Sequence, residues 1–385
     1  MTELYDFILF ENYHQAQNHK IDLILIARML KSQGLKVAIL NVYGEDNSKE
    51  IEGIEVINLP FKATVPQYHR IKLLGKLEFL IWQRRYFKRV IKYITPLAKS
   101  FYFGSYHVQM PTGLFKIKKT CFYWGLRSSR MTNFAWMLKR QDFINVLHAI
   151  KQKNLFMKNP KQCLFVSNEI IKKEFEDLGI NTNRLIIREE RCIETITDAN
   201  IDKCSEKPSF LVIGQLRKQK NLPRTIEAFK LANIPYAKLC LIGRSQGKYE
   251  EEIIAAINND YRIERNNSFL EYDDFLSYYT KAHFVLFADE KGDSCISNGT
   301  FTEALVQHRP VIAPNYNPYS YYINKYGVGL LYEPDDIQSY SNAIEKAVEL
   351  GVEYFQQNIN RFLEEIKFDK VSKLLVEQII FNSQS

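Results

Sequence analysis

Long apolar runs are missing from this 385-residue sequence. None approaches the roughly 20 residues that a helix needs to cross a bilayer, so no transmembrane helix is expected. The first residues, MTELYDFILFENYHQ, also lack the basic start and the apolar core of a secretory signal peptide. We therefore expect a cytoplasmic protein.

Motifs that hold metals or disulfides are also missing. The six cysteines are scattered and include no C-x-x-C pair, which fits neither a disulfide framework nor a zinc cluster. No D-x-D motif stands between apolar strands, which argues against a metal-clamped transferase of the single-domain type. We expect reduced thiols, no metal and no cofactor.

A glycine-rich dinucleotide fingerprint, G-x-G-x-x-G, is absent from the first predicted turn as well. The first apolar run continues instead into Glu11-Asn12-Tyr13-His14. A nicotinamide-dependent dehydrogenase therefore has little support, because that fold binds the pyrophosphate of its cofactor through those glycines.

Short apolar runs alternate with helical patterns along the whole chain. Phe7–Phe10, Ile21–Lys31 and Val37–Leu40 are typical of a strand, a helix and a second strand, and such repeats build parallel sheets wrapped by helices. A second series begins at Phe210–Ile213, after a polar stretch at 197–209, TDANIDKCSEKPS. We predict an α/β protein with two Rossmann-like doubly wound parallel-sheet domains and a cleft between them, at 1–195 and 205–350. Residues 351–385 are predicted as helical and as packing back towards the N-terminal domain.

A basic loop follows the strand predicted at Phe210–Ile213. It runs from Gly214 through Gln215, Arg217 and Lys220 to the start of a helix. Cations beside a helix start favour an anion through both their charge and the helix dipole. The alternative is an ordinary solvated surface loop.

A second polar segment precedes a short predicted helix. Ser297 and Asn298 are good N-cap residue types, and Gly299 allows a ligand to approach the backbone next to Thr300. Glu303 lies one turn into the helix, from which it can reach towards a ribose. The alternative is that Glu303 completes a capping box at the helix start.

Five blocks follow one another between residues 210 and 336: FLVIGQLRKQKNLPRTIEAF, AKLCLIGRS, NNSFLEYDDFLSYYTKAHFVLFADE, NGTFTEALVQHRPVIAPN and YGVGLLYEPDD. In their order and spacing they resemble glycosyltransferase family 4, the retaining group 1 enzymes of GT-B fold. The resemblance implies that Lys220 binds the donor diphosphate and that Glu303 binds the ribose. It also implies a backbone loop that holds the phosphates and the donor sugar, formed by Asn298, Gly299 and Thr300. A nucleotide-base pocket is implied at Gly243, Arg244, Phe269 and Leu270.

Two positions depart from the family pattern. Gln215 stands where the family has an arginine, and Arg217 on the same loop is the expected substitute. Cys295 stands where the first glutamate of the family's paired motif is expected. In the N-terminal domain, His107 is the candidate cleft histidine, and Arg127 and Arg130 are alternative phosphate contacts.

Basic residues are concentrated in the N-terminal part of this chain of net charge +8. Between Tyr68 and Lys99 there are nine Lys or Arg and a single acid, Glu78. The pattern fits either a domain helix with a solvated face or a helix that contacts an anionic membrane. Nucleic acid is not expected, because no helix-turn-helix or RNA-stacking pattern accompanies the charge.

The resemblance implies metal-independent, retaining transfer of a hexose-type sugar from a nucleotide diphosphate-sugar. The expected acceptor is a glycan or a lipid-linked glycan, in bacterial surface polysaccharide synthesis at the inner face of the cell membrane. Two alternatives remain open: a non-catalytic nucleotide-binding subunit, and a nucleotide-sugar epimerase or phosphorylase of the same fold.

Overall fold

The computed structural model describes residues 4–11, 17–42, 49–61, 72–105, 121–126, 154, 156–177, 179–188, 191–196, 207–290 and 299–384. These residues form two compact units. The N-terminal unit contains the described residues up to 188 together with 368–384, and the C-terminal unit contains the rest. None of the described helices is both long enough and apolar enough to cross a membrane.

The N-terminal unit is built on an eight-stranded sheet. Its strands are β1 (Tyr5–Glu11), β2 (Val37–Asn41), β3 (Glu50–Ile51), β4 (Ile54–Asn58), β5 (Ala98–Ser105), β6 (Cys121–Leu126), β7 (Gln162–Val166) and β8 (Leu185–Ile187). Its first described helices are α1 (Gln17–Ser32), α2 (Lys72–Ile94) and α3 (Glu169–Asp177). The order is β3-β4-β2-β1-β5-β6-β7-β8, parallel except for the β3–β4 pair.

Apolar side chains on both faces explain why this sheet lies in the interior of its unit. Ile8, Leu9 and Phe10 of β1 are fully buried, as expected of a parallel strand covered on both sides. Phe10 packs against Phe103 of β5 with ring centroids 5.1 Å apart, and Phe103 packs edge-on against Phe87 of α2 at 5.5 Å. Helix α2 is thereby fixed on one face of the sheet.

The C-terminal unit is built on a six-stranded, wholly parallel sheet. Its strands are β9 (Ser209–Ile213), β10 (Lys238–Ile242), β11 (Ile263–Asn266), β12 (Phe284–Leu286), β13 (Val311–Pro314) and β14 (Gly329–Tyr332). Its helices are α4 (Leu222–Leu231), α5 (Lys248–Ile257), α6 (Tyr272–Lys281), α7 (Gly299–Val306), α8 (Tyr319–Tyr326), α9 (Ile337–Leu350) and α10 (Glu353–Glu365).

The strand order β11-β10-β9-β12-β13-β14 reverses direction between β9 and β12. The chain moves outward from β9 in one direction and then resumes at β12 in the other. Loops leaving the carboxyl ends of β9 and β12 therefore diverge, and the gap between them is the usual ligand site of doubly wound sheets. The predicted basic loop follows β9, and the predicted helix bearing Glu303 follows β12.

The last helix, α11 (Phe368–Gln384), belongs to the N-terminal unit. Gln378 binds both backbone groups of Ile187 in β8, at 2.9 and 3.1 Å, and the guanidinium of Arg28 lies 5.2 Å from the Phe368 ring centroid. The helical segment predicted at 351–385 is two helices, because the chain leaves helical geometry at Ile366.

Candidate functional site

Two glycines bring the ends of β9 and β10 together. Gly214 and Gly243 have φ values of 111° and 124°, which L-residues with a side chain rarely adopt. A Cβ on Gly243 would lie 2.0 Å from the carbonyl oxygen of Gly214. The turn that carries the basic loop is therefore possible only with glycine at 243.

Lys220 ends a short 3-10 helix, Lys218–Lys220, directly before α4. Its ammonium lies 6.0 Å from the ring centroid of Phe287, the residue that follows β12. The Glu290 amide donates to the Gln219 carbonyl over 2.7 Å. These contacts join the β9 and β12 loops, so Lys220 lies at the point where the strand order reverses.

Arg217 and Gln215 contact each other on the exposed side of this loop. The Arg217 guanidinium donates to the Gln215 side-chain oxygen over 2.6 Å. Gln215, which stands where the family has an arginine, therefore lies beside Arg217, the residue predicted to substitute for that arginine.

Helix α7 starts against the β9 turn. Gly299 and Thr300 are its first residues, and the Thr300 methyl carbon lies 3.1 Å from the position that a Cβ on Gly214 would occupy. The Tyr279 hydroxyl of α6 donates to the Thr300 carbonyl over 3.3 Å. The positive end of the α7 dipole thus faces the loop that carries Lys220.

Glu303 is a buried carboxylate, 4% exposed. One oxygen accepts from Gln307 over 3.1 Å, and the other accepts from the Arg191 guanidinium. Because α7 starts at Gly299, Glu303 lies past the first turn, and its carboxylate does not form the capping box considered as the alternative. Sequence reasoning missed Arg191, since no local pattern links residues 112 positions apart.

The loops predicted to line a base pocket follow β10 and β11. Phe269 is 78% exposed, so a large aromatic ring is available for stacking on a base. Beneath these loops the buried Arg265 donates to the carbonyls of Leu241, Gly243 and Asn266 over 2.6–3.0 Å. Arg265 was not singled out from the sequence, because its role is to bind backbone carbonyls and no motif marks it.

Arg265 also forms an ion pair with Glu250 at 2.8 Å. Burial by itself raises the pKa of Glu250, but hydrogen bonds from Arg265 and Ser245 outweigh it and hold this pKa below its usual range. The charge of Arg265 is therefore compensated within the framework under the pocket.

Several predicted residues lie outside the described part of the chain, namely His107, Arg127, Arg130, Cys295, Ser297 and Asn298. Among the described residues, no group of three or more His, Cys, Asp or Glu is placed to hold a metal ion.

The sequence was compared with models of known protein families and with curated proteins. Residues 195–361 match the family of glycosyl transferases group 1, which confirms the resemblance drawn from the five blocks. No curated protein matches the chain by sequence.

Solved structures match nearly the whole chain. The lipopolysaccharide outer core galactosyltransferase WaaB in its apo form has a TM-score of 0.70 at 12% identity, covering 98% of this chain and 99% of that one. Anabaena HepE in complex with UDP has a TM-score of 0.68 at 12% identity, covering 97% and 99%. Sucrose-phosphate synthase from Thermosynechococcus elongatus has a TM-score of 0.66 at 15% identity, covering 99% and 100%. These likenesses confirm the predicted GT-B fold of two Rossmann-like domains.

The glycine contact predicts a large difference between two otherwise similar substitutions. Gly243→Ala should destabilise the C-terminal unit by about 3 kcal/mol, because the new methyl group meets the Gly214 carbonyl. Gly247→Ala should cost less, about 1–2 kcal/mol, since Gly247 also has a positive φ but has no atom within 4 Å of the added carbon. Urea unfolding of both variants measures the difference, and equal losses would contradict the close approach.

The Arg191–Glu303 pair predicts an energetic coupling. Arg191→Met should destabilise the protein by about 1–3 kcal/mol, because it leaves a buried carboxylate without its cationic donor. The same substitution in a Glu303→Gln background should cost less, since no charge remains to be compensated. A double-mutant cycle in urea measures this coupling, and strictly additive losses would show that the two side chains act independently.

Proposed function

The chain is related to the group 1 glycosyltransferases through residues 195–361, and we propose that it transfers a hexose-type sugar from a nucleotide diphosphate-sugar to a glycan or lipid-linked glycan. The observation that carries the proposal is the meeting of two features at the strand reversal of the six-stranded sheet. These are the cation of Lys220 and the start of α7, the helix that also carries Glu303.

The proposed role of Lys220 and Arg217 is to stabilise the departing diphosphate. Negative charge develops on this group as the bond to the sugar breaks, and fixed cations and backbone N–H groups stabilise it without reorganising. The start of α7 supplies such N–H groups, with Thr300 as a described member and Ser297 and Asn298 as predicted ones. No metal is needed in this proposal.

The proposed role of Glu303 is to accept hydrogen bonds from the ribose hydroxyls. An ionised carboxylate offers about four acceptor positions, and Arg191 and Gln307 use one on each oxygen. In the proposal, the ribose hydroxyls use the remaining positions. The Arg191 guanidinium donates to this buried carboxylate and holds it in place.

The base is proposed to bind beside Phe269 and Leu270, with Gly243 and Arg244 on the neighbouring loop. The Anabaena neighbour was solved with UDP, which makes a uridine nucleotide the first donor to test. Thermal-shift measurements with UDP, GDP and their sugars identify the base, because a ligand that binds only the folded state raises its apparent stability.

We propose that transfer retains the anomeric configuration. The acceptor oxygen forms its bond to the anomeric carbon on the face from which the phosphate oxygen departs, and the acceptor proton passes to that phosphate oxygen. His107 is the proposed alternative proton acceptor. Proton NMR of the product distinguishes retention from inversion.

The two alternative functions differ in their requirements. An epimerase converts the donor without an acceptor, and a phosphorylase requires inorganic phosphate. A non-catalytic subunit binds nucleotide tightly but gives no turnover with any acceptor. Donor consumption measured with and without a membrane extract therefore separates all of them from a glycosyltransferase.

Removing either charged group should slow the reaction strongly. Lys220→Ala and Glu303→Gln should each lower kcat/KM by on the order of a hundredfold, the usual effect of losing one electrostatic contact in a transition state. Lys218→Ala is the matched control, because Lys218 is on the same 3-10 helix but points to Glu252, 3.9 Å away. Near-normal turnover in both site variants would refute the assigned roles.

We also propose that α2 brings the protein to an anionic membrane surface, as its basic sequence predicts. The residues Tyr86, Phe87, Val90 and Ile94 are buried in the N-terminal unit. The opposite face is exposed and carries five basic residues, Arg84, Arg85, Lys88, Arg89 and Lys92. Exposed Ile81 and Tyr93 lie on the same helix and add apolar contact area.

Charge reversal on α2 should weaken vesicle binding. Each basic residue near an anionic surface contributes about 1 kcal/mol, so replacing Arg84, Arg85 and Lys88 by Glu should weaken binding to phosphatidylglycerol vesicles by at least about a hundredfold. The matched control replaces the exposed Lys238, Lys248 and Lys373 by Glu, which changes the net charge equally. Equal loss in both variants would show that total charge, and not α2, determines binding.

A further inference from the structure

Three polar side chains are buried together where β7 and β8 end in the N-terminal unit. Ser167 and Asn168 follow β7, and Arg188 follows β8. They are 5%, 2% and 7% exposed, respectively. None of them was predicted to be functional from the sequence, and the donor site proposed above uses none of them.

The strand register brings these residues side by side. Val166 pairs with Ile187, and the Arg188 amide donates to the Val166 carbonyl over 2.8 Å. The next residues along, Ser167 and Arg188, therefore lie on neighbouring chains about 5 Å apart with side chains on the same face. All three polar groups are at the carboxyl edge of the parallel sheet.

Asn168 connects this edge to the start of α3. Its side-chain oxygen accepts from the Ile171 amide over 3.0 Å, and its carbonyl accepts from Lys172 over 3.0 Å. The side-chain nitrogen of Asn168 is therefore held at the N-terminus of a helix of nine residues, the end at which the helix dipole favours negative charge. The acid of this first turn, Glu169, is exposed to solvent.

One atom of each side chain is buried without a hydrogen-bond partner: Ser167 Oγ, Asn168 Nδ2 and Arg188 Nη1. Buried polar atoms are nearly always bonded, because each unsatisfied one costs about 1–3 kcal/mol. Two of the three can only donate, and the hydroxyl can donate as well. This set of donors, which includes a guanidinium, is complementary to an anion.

Arg184, at the other end of β8, is a structural arginine, and it differs from Arg188 in the acceptors that its guanidinium meets. Its Nε donates to the Gln162 carbonyl over 2.8 Å, and its Nη2 donates to the carbonyls of Phe156 and Asn159 over 2.6 and 2.9 Å. Its guanidinium also lies 3.9 Å from the Phe156 ring centroid. Burial lowers the pKa of Arg184, and backbone carbonyls satisfy its donors, whereas the Nη1 of Arg188 has no such acceptor.

We propose that Ser167, Asn168 and Arg188, with the first amides of α3, form a binding site for a phosphate group. A tetrahedral oxyanion accepts from a guanidinium, a hydroxyl, an amide and a helix N-terminus at once. The group comes either from inorganic phosphate or from a phosphate ester on a larger ligand. All three side chains belong to the N-terminal unit, whereas Lys220 and Glu303 of the proposed donor site belong to the C-terminal unit.

The experiment uses the full chain with Arg217→Ala and Lys220→Ala, so that phosphate binding at the proposed donor site is removed. Thermal unfolding is followed in inorganic phosphate and in sodium chloride of equal ionic strength. At about five times the dissociation constant, phosphate should raise the midpoint of the N-terminal unit by roughly 2–4 °C. Repeating the titration with a monoalkyl phosphate distinguishes the free ion from an ester. A site closed around inorganic phosphate has no room for the alkyl group, so the ester then gives no shift.

Arg188→Met and Arg184→Met form the matched pair. Arg188→Met should abolish the phosphate-dependent shift and, without phosphate, should leave the midpoint unchanged or higher, because it removes an unpaired buried charge. Arg184→Met should lower the midpoint, because three carbonyls lose a hydrogen bond from its guanidinium, and should keep the phosphate-dependent shift. If Arg188→Met does not fold, Arg188→Lys replaces it, and it should weaken the shift because an ammonium lacks the planar guanidinium donors.

Three outcomes would overturn the proposal. The first is a phosphate-dependent shift of the same size in the Arg188 variant and in its parent. The second is no shift at any phosphate concentration. The third is a crystal grown in phosphate in which only ordered water occupies the three donors. Because the parent chain already lacks Lys220 and Arg217, none of these outcomes depends on whether the glycosyltransferase proposal is correct.

Discussion

The candidate donor site depends on the close approach of two backbones at Gly214 and Gly243. A single added carbon at 243 would overlap the Gly214 carbonyl, so the ends of β9 and β10 can adopt this geometry only without a side chain there. The same turn directs the chain into the 3-10 helix that ends at Lys220 and receives the Thr300 methyl of α7. One steric condition thus places a cation and a helix start at the reversal of strand order.

Buried charge is treated in two different ways in this protein. Glu303 is paired with Arg191, and Arg265 is paired with Glu250 and with backbone carbonyls. Because these charges are compensated inside the fold, they can orient loops and ligand-binding groups at little cost. Arg188 has a buried nitrogen without any acceptor. A buried nitrogen without a partner also occurs on Arg265, so what sets Arg188 apart is that Ser167 and Asn168 present unpartnered donors at the same edge of the sheet.

The departures from the family pattern affect the site unequally. Gln215 remains next to Arg217, which donates to it, so the positive charge is displaced along the same loop and is not lost. The paired carboxylate is different, because its position is taken by Cys295 and lies outside the described residues. In the proposed function, recognition of the donor sugar therefore depends on groups other than the family's first glutamate, whereas Lys220 and Glu303 stand at the positions that the family resemblance implies for phosphate and ribose recognition.

The spacing of apolar residues along the sequence was sufficient to predict much of the fold. The strands predicted at Val37–Leu40 and Phe210–Ile213 each differ from the observed bounds by one residue, because a buried strand imposes a local apolar pattern on the sequence. Helix α8 was missed because its Tyr-rich stretch has no clear apolar stripe, and α5 because only Ile253 and Ile257 are buried. Local motifs likewise singled out Lys220 and Glu303 as candidate site residues. Only the tertiary structure revealed Arg191, Arg265 and Arg188. The first two have partners from distant parts of the chain, and Arg188 has a buried nitrogen to which no part of the chain brings a partner. Such contacts leave no local pattern in the sequence, because folding brings together groups that are far apart along the chain.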